Sequence, residues 1–380
     1  MAEAALGTSR PASPRRRDWQ VLVDSAWFPV VVWAVWRLAQ VTALVAVGGH
    51  PVGDTFRFDA AWYRSILAQG YHYDAPSTVQ QNPAFPPGLP WLTEPFSWVL
   101  GDKWAAFLVA NLVGLGAFIA VWWALRTWAG DRCARYGTIA LALWPTSFYL
   151  WAFYSEGLFL AATAVGLGAE RKGRRWLVAV CAVVAGVTRV VGLLFGPVLA
   201  AVHWWRVRRL DLTGFLYLAG GVVSAALVTG AQQVTTGHAF AAQELQRNAW
   251  HLSPAPPWVP LVDGVEKVVD KLPHLALELL LNLAAVFVVG AAVAVVLVLA
   301  RRGRWAWEPA VWTAVAFVVP LCIKVVSSQA RYALAVWPAL AVAGLGTGPR
   351  ARWARRGLAA VGVVVSVLLL RRWTTGGFVA

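Results

Sequence analysis

The sequence predicts an all-α polytopic membrane protein, on three observations. Of the 380 residues, 59% are hydrophobic and only 13% are charged. The apolar residues form long continuous runs, whereas a transmembrane β-barrel would alternate apolar and polar residues over segments of about ten positions. Short basic clusters separate these runs. Because a helix satisfies its backbone polar groups within one segment, each long apolar run is expected to be a helix in the membrane.

The positive charge of the chain follows the linkers between the apolar runs. Of the 33 Lys and Arg residues, 21 lie in the N-terminus and the short linkers 126–135, 171–175, 206–209, 301–304 and 350–356. Two long loops, 49–103 and 232–273, hold six together. This is the positive-inside pattern. It places the N-terminus in the cytoplasm and both loops on the outer face of the cell membrane, and it argues against a nucleic-acid partner for the net charge of +15.

The same pattern divides the chain into four parts. Residues 1–20 are predicted to be a disordered cytoplasmic tail. Residues 21–231 form a transmembrane module that includes the outer loop 49–103. An outer loop with an amphipathic helix follows at 232–273, and C-terminal transmembrane helices follow at 274–380. About eleven spans are expected in all.

Two apolar hairpins, 137–169 and 176–204, are too short for two ordinary crossings each. An arm of about 15 residues reaches about 22 Å, against a hydrocarbon thickness of about 30 Å. The turns carry Glu156 and Arg189. Polar turns at this depth must face protein or a wet cavity. The spacing therefore predicts an outward-facing cavity with a carboxylate and a guanidinium in its floor.

Each outer loop contains a segment with the apolar periodicity of a helix that lies along the membrane surface, at 59–70 and 261–272. Asp59 opens the first of these segments and has two interpretations. It is either the N-cap of the helix or a general base at the edge of the cavity.

The other candidate residues also have alternatives. Arg189 either neutralises a carboxylate such as Glu156 or binds a phosphate, for which a guanidinium is well suited. Glu156 is either that partner or a second carboxylate that positions an acceptor. Arg331 is either an interfacial side chain or a second phosphate contact. His72 is either a surface histidine or a substrate contact. The His and Cys residues lack the spacing of metal ligands, so neither a metal nor a cofactor is expected.

Five short motifs resemble those of the PIG-V-type mannosyltransferases, a family of the GT-C superfamily. They occur in family order across residues 56–332. The motifs are Phe58-Asp59-Ala60-Ala61-Trp62-Tyr63 with Gly70-Tyr71, Asn82-Pro83-Ala84-Phe85-Pro86-Pro87-Gly88-Leu89-Pro90, Pro145-Thr146-Ser147-Phe148-Tyr149 with Tyr154-Ser155-Glu156-Gly157-Leu158-Phe159, Thr188-Arg189-Val190-Val191-Gly192, and Gln329-Ala330-Arg331-Tyr332. The second motif departs from the family at residues 85–88, where a second Phe and a Tyr are usual. The high Ala, Arg, Trp and Val content resembles proteins of high-GC bacteria.

The resemblance implies a GT-C-like fold and an inverting transferase. Such an enzyme moves a sugar, here mannose, from a polyprenyl-phosphate donor in the membrane lipid to an extracytoplasmic glycolipid, glycan or protein. Asp59 would be the catalytic base. The substrate-binding residues would be Arg189, Glu156, Arg331, Trp62, Tyr63, His72, Tyr154 and Ser155.

Membrane-embedded Arg and Glu residues also fit a transporter or a lipid flippase. Transporters often contain internal repeats with matched broken helices, and no motif repeats across the two halves of this chain. A glycan polymerase or ligase that uses a lipid-diphosphate donor is a further alternative, and would be expected to show more paired arginines in its outer loops.

Overall fold

The structure is a computed structural model that describes residues 15–271, 276–324 and 328–377. Within these ranges the chain consists of helices and their connections, with one isolated antiparallel bridge between Pro254 and Ile323. This confirms the all-α class. Most of the predicted N-terminal tail and Leu272 of the second amphipathic segment lie outside the described residues.

The α-helices follow one another along the chain with mostly short connections. Their bounds are α1 Arg15–Ala46, α2 Asp59–Gln69, α3 Gly88–Leu100, α4 Asp102–Leu143, α5 Glu156–Arg171, α6 Arg175–Thr188, α7 Phe195–Val207, α8 Leu212–Thr236, α9 Ala241–Asn248, α10 Val259–Lys271, α11 Ala276–Arg301, α12 Trp307–Val318, α13 Gln329–Tyr332, α14 Val342–Leu345 and α15 Gly348–Thr374.

Among the described residues, six helical segments are long and apolar enough to cross a membrane. They are Trp27–Ala46, Asp102–Leu143, Val190–Val207, Leu212–Thr236, Leu279–Arg301 and Gly348–Thr374. The chain is therefore a multi-pass membrane protein. The expected count of about eleven spans is not confirmed, because other apolar helices, such as Arg175–Thr188 and Trp307–Leu321, are shorter.

Helix α4 joins two elements that the sequence suggested were separate. It runs for 42 residues from Asp102 to Leu143 and breaks at Gly130, whose φ is 85°. A positive φ of this size is easily adopted only by glycine. The part before Gly130 is the predicted second span, and the part after it is the first arm of the first hairpin.

The two hairpins have the short arms that the spacing predicts. Helices α5, α6 and α7 contain 16, 14 and 13 residues. Residues 144–155 connect α4 to α5 and include a 3₁₀ turn at Ser147–Leu150. A second 3₁₀ turn, Val190–Leu194, follows Arg189 between α6 and α7. The core packs around these turns, and Trp151 and Phe195 are fully buried there.

Helices are present in both outer loops where the sequence predicts them. Helix α2 occupies the first loop and ends at Gly70, which has a φ of 74°. Helix α10 occupies the second loop. Helix α3 was not predicted, and it begins at Gly88 within the Pro-rich segment. Its start packs so closely on the end of α6 that a Cβ on Gly88 would lie 2.7 Å from the carbonyl oxygen of Val187.

Candidate active site

Asp59 is the first residue of α2, directly after the N-cap residue Phe58. Phe58 has a φ of 53° and makes no side-chain cap, so the interpretation of Asp59 as the N-cap is wrong. The Asp59 carboxylate instead accepts a hydrogen bond at Oδ2 from Nη1 of Arg331, at 2.7 Å. Its position in the first turn also places the negative charge at the positive end of the helix dipole.

Arg331 reaches Asp59 from a turn that other elements hold in place. The backbone N–H of Ala330 donates to Oδ1 of Asn282 on α11 at 2.9 Å. The carbonyl oxygen of Ala330 accepts hydrogen bonds from Trp144 Nε1 and Thr146 Oγ1, both at 2.8 Å. Because Trp144 and Thr146 belong to the turn of the first hairpin, that turn and the late Arg-Tyr motif form one unit.

Glu156 connects Arg331 to the second hairpin. It opens α5, and its Oε1 lies 3.0 Å from Nε of Arg331. The same oxygen pairs with Nη1 of Arg189. Asp59, Arg331, Glu156 and Arg189 therefore form one continuous set of alternating charges, which we call the ion-pair network.

Arg189 lies just after α6, in extended backbone with φ −149° and ψ 146°. The centre of its guanidinium is 5.4 Å from the ring centroid of Tyr332, and that of Arg331 lies at the same 5.4 Å from this ring. A cation over an aromatic ring is attracted by the ring's quadrupole. The pairing of Arg189 with Glu156 is confirmed, and binding of a phosphate by Arg189 stays a prediction.

The members of the network differ in their access to solvent. The exposed fraction of the side chain is 21% for Asp59, 12% for Arg189, 10% for Arg331 and 2% for Glu156. The two carboxylates balance the two guanidiniums. Glu156 is therefore placed as a buried counter-ion, whereas Asp59 is the carboxylate that an incoming molecule can reach. The predicted wet cavity above them stays a prediction.

Tyr154 contacts the backbone of Asp59, and Ser155 follows Tyr154 directly before α5. The Tyr154 hydroxyl accepts a hydrogen bond from the backbone N–H of Asp59 at 3.0 Å and donates one to the carbonyl oxygen of Arg57 at 3.1 Å. Only 1% of Tyr154 and 3% of Ser155 are exposed. Tyr154 therefore fixes the backbone that carries Asp59. A substrate contact by either residue stays a prediction.

Tyr63 faces the same turn from α2. Its ring lies 6.4 Å from that of Tyr154 and 5.4 Å from that of Phe85. Burial raises the pKa of the Tyr63 phenol, and the charge of Glu156 raises it further. Tyr63 is therefore a neutral hydroxyl beside the network, able to donate a hydrogen bond.

Trp62 and His72 contact residues outside the ion-pair network. The Trp62 ring stacks on Phe85 with centroids 6.1 Å apart and an interplanar angle of 14°, and it meets Trp250 edge-on. His72 has an exposed side chain, and its backbone N–H donates to Oδ1 of Asn82 at 2.9 Å. The contacts of the ion-pair network do not include His72, so its role as a substrate contact stays a prediction.

The sequence reasoning overlooked Arg37, which lies within the span Trp27–Ala46 and is only 8% exposed. Its Nε donates to Oδ1 of Asn111 at 2.8 Å. Its guanidinium lies 4.7 Å from the ring centroid of Trp151, in the turn of the first hairpin. A lone Arg inside an apolar span is itself a signal that could have been used. Arg37 supports the turn that carries Tyr154.

The described residues contain no group of three or more His, Cys, Asp or Glu side chains arranged to hold a metal ion.

Comparison with known proteins shows which solved structures the fold is similar to. Neither a protein-family model nor a curated protein matches the chain. ArnT from Cupriavidus metallidurans, solved with undecaprenyl phosphate bound, matches with a TM-score of 0.54 and 20% identity over 93% of this chain and 74% of ArnT. The apo state of ArnT matches with a TM-score of 0.49 and 20% identity, over 93% and 64% of the two chains.

An oligosaccharyltransferase from Archaeoglobus fulgidus, tethered to an acceptor peptide, matches with a TM-score of 0.48 and 12% identity, over 93% of this chain. This chain spans about half of that enzyme's length, at 55%. The matched structures are glycosyltransferases of the GT-C superfamily. The match to ArnT, at 20% identity, bears on the fold alone: the chain adopts a GT-C-like fold.

Proposed function

We propose that the protein is an inverting glycosyltransferase. It moves a sugar, mannose according to its motifs, from a polyprenyl-phosphate donor to an extracytoplasmic glycolipid, glycan or protein. The observation that carries this proposal is the ion-pair network, in which an accessible carboxylate on an outer-loop helix contacts an arginine of the late Arg-Tyr motif. The undecaprenyl phosphate in the ArnT structure supports a lipid-phosphate donor.

Asp59 is the proton acceptor in this proposal. The acceptor hydroxyl gives its proton to the carboxylate while its oxygen forms a bond to the anomeric carbon. The bond from that carbon to the phosphate oxygen breaks, and its electron pair leaves with the lipid phosphate. Attack from the face opposite the phosphate inverts the anomeric centre. The hydrogen bond from Nη1 of Arg331 to Oδ2 of Asp59 holds the carboxylate in place for the incoming hydroxyl.

The network suits this reaction because negative charge moves during transfer. Protonation neutralises Asp59 at the moment when the departing phosphate gains a charge. Arg331 then loses its ionised partner at Asp59 but keeps Glu156, so its guanidinium can turn toward the phosphate. Positive groups placed in advance near a developing charge stabilise the transition state. Arg189 would act alongside Arg331, with Glu156 holding both in place.

The donor carries a single negative charge at its phosphodiester, which an arginine can neutralise without a metal ion. In this proposal the donor lies in the membrane and transfer takes place at its outer side. The positive-inside distribution supports it, since the loop that carries Asp59 is poor in Lys and Arg while the opposite linkers are rich in both.

A transfer assay tests the proposal. The purified protein is reconstituted with polyprenyl-phosphate-mannose labelled in the sugar, and with membranes that supply the acceptor. The wild type is expected to move the label to the acceptor. Asp59→Asn should reduce the rate by about 10²- to 10⁴-fold, the contribution of a general base.

Asp74→Asn is the matched control, because Asp74 is an exposed carboxylate in the same outer loop. It should change the rate by about twofold or less. Donors that carry glucose or galactose test the choice of sugar. Movement of the sugar-lipid across the bilayer without transfer would identify a flippase and overturn the proposal.

A further inference from the structure

A second polar site lies at the opposite end of α5 from the ion-pair network. Helix α5 begins at Glu156 and ends at Arg171. Its 16 residues separate these ends by about 22 Å. At the Arg171 end there is a cavity of about 440 Å³, and its lining includes three tryptophans, three arginines and one glutamate. The elements that meet there are α4, α5, the end of α7 and the start of α12.

Two of the arginines carry charge that no carboxylate neutralises. Arg171 lies 5.2 Å from the ring centroid of Trp128, and Arg208 lies 5.7 Å from that of Trp205. Neither takes part in an ion pair within the described residues. Both guanidiniums are exposed and stacked on aromatic rings, which limits their motion without satisfying their charge.

The third arginine of the cavity already forms an ion pair with a carboxylate. Arg206 pairs with Glu308, which lies in the first turn of α12 and whose side chain is 2% exposed. The lining therefore carries three positive charges and one negative charge. An anion entering the cavity would meet Arg171 and Arg208 without having to break the pair between Arg206 and Glu308.

The tryptophans indicate the depth of this cavity in the membrane. Trp205 and Trp307 meet edge-on with centroids 5.5 Å apart, and 48% of Trp205 is exposed. They lie at a helix end and a helix start, beside the basic linkers 171–175, 206–209 and 301–304. Tryptophan favours the headgroup level of a bilayer, where one part of the ring is apolar and another is wet.

From this arrangement we propose that the cavity is a binding site for the headgroup of an anionic phospholipid. The lipid phosphate lies between Arg171 and Arg208, as a charge-assisted hydrogen-bond acceptor. The indole rings of Trp205 and Trp307 cover the glycerol and the first methylene groups. Basic pockets between transmembrane helices on the positively charged face recognise phospholipid headgroups in this way. This site is separate from the proposed transfer reaction and does not depend on it.

Lipid binding to the purified full chain tests this proposal. The protein in a neutral detergent is titrated with phosphatidylglycerol or with phosphatidylcholine, and bound lipid is counted by native mass spectrometry. Phosphatidylglycerol should bind more tightly than phosphatidylcholine. The double variant Arg171→Gln/Arg208→Gln should weaken phosphatidylglycerol binding by roughly tenfold or more, since each arginine near a bilayer surface attracts anionic lipid.

The matched control is Arg352→Gln/Arg356→Gln on α15. It removes the same charge, and Arg356 also lies over a tryptophan, 5.3 Å from the ring centroid of Trp353, but outside this cavity. Equal loss in both double variants would show a diffuse charge effect and overturn the site. Equal binding of phosphatidylglycerol and phosphatidylcholine would also overturn it. A third titration uses inorganic phosphate alone. Tight binding of phosphate that excludes phosphatidylglycerol would identify a soluble ligand and overturn the assignment to a lipid.

Discussion

Replacement of Glu156 by Gln tests whether the ion-pair network holds the two hairpins together. The Glu156 carboxylate is 2% exposed and contacts both Arg189 and Arg331, which are 12% and 10% exposed. The amide keeps the shape and one acceptor oxygen but removes the charge. Arg331 then keeps the carboxylate of Asp59, whereas Arg189 loses its ion-pair partner Glu156.

The expected loss follows from the burial of these groups. Removing one partner of a buried ion pair costs about 3 to 5 kcal/mol, because the other charge is left uncompensated. Since Gln retains an acceptor, the lower end applies, and Glu156→Gln should reduce the free energy of unfolding by about 3 kcal/mol. Asp59→Asn also removes a charge, but Asp59 is 21% exposed and Arg331 keeps Glu156. Its cost should be about 1 kcal/mol.

Unfolding in mixed micelles, followed by tryptophan fluorescence, measures these free energies. Glu94→Gln is the matched control, because Glu94 is exposed on α3, and it should change stability by about 0.5 kcal/mol or less. The double variant Glu156→Gln/Arg189→Gln restores the charge balance and should be more stable than Glu156→Gln alone. A Glu156→Gln protein as stable as the wild type, or more stable than Asp59→Asn, would refute the role of Glu156 as a buried counter-ion.

Two further predictions concern the surroundings of the ion-pair network, and a third concerns the contact of Asp211 at the start of α8 with His203 near the end of α7. Tyr154→Phe removes the hydroxyl that accepts a hydrogen bond from the backbone N–H of Asp59 at 3.0 Å. It should lower the free energy of unfolding by about 1 to 3 kcal/mol and lower the transfer rate. Unchanged stability would contradict the contact. Gly88→Ala places a Cβ 2.7 Å from a carbonyl oxygen of α6 and should destabilise the protein by about 1 to 3 kcal/mol; a neutral effect in the same experiment would contradict this close approach. The pKa of Asp211 is lowered chiefly by its hydrogen bond with His203, so its contribution to stability is present above the ordinary carboxyl range and is lost as the pH falls through the lowered pKa. Melting temperatures measured from neutral to acidic pH should fall less steeply for Asp211→Asn than for the wild type, and parallel curves would contradict the prediction.

The sequence was sufficient to predict the fold class because the bilayer leaves few alternatives. Continuous apolar runs in lipid have to be helices, and the short hairpins follow from arm lengths alone. The turns of both hairpins indeed meet, since Glu156 and Arg189 are paired. The ends of the helices were harder to predict from the sequence than the fold class. Two helical stretches follow each other within α4 without a loop, because only Gly130 between them leaves the helical conformation. An isolated Gly in a sequence does not show whether a helix ends there or resumes directly after a kink.

The candidate site was only partly predictable, because its contacts join distant segments. Nothing local to Arg331 indicates that it contacts Asp59, which is 272 positions away. The position of Arg331 between two late apolar runs made it a candidate phosphate contact, but did not pair it with Asp59. The N-cap interpretation of Asp59 was wrong because a tertiary ion pair took the carboxylate in place of the local backbone N–H groups. Arg37 was overlooked because its partners, Asn111 and Trp151, are also remote in sequence.

In the proposed reaction, Asp59 takes the proton of the acceptor while the arginines hold the donor phosphate. Single-turnover transfer from labelled polyprenyl-phosphate-mannose, measured together with the Kd of the donor, separates these roles. We expect Asp59→Asn to bind the donor with a Kd close to that of the wild type and to transfer its sugar at least about 10²-fold more slowly. Transfer at the wild-type rate, or a loss of activity that arises entirely from lost donor binding, would contradict it.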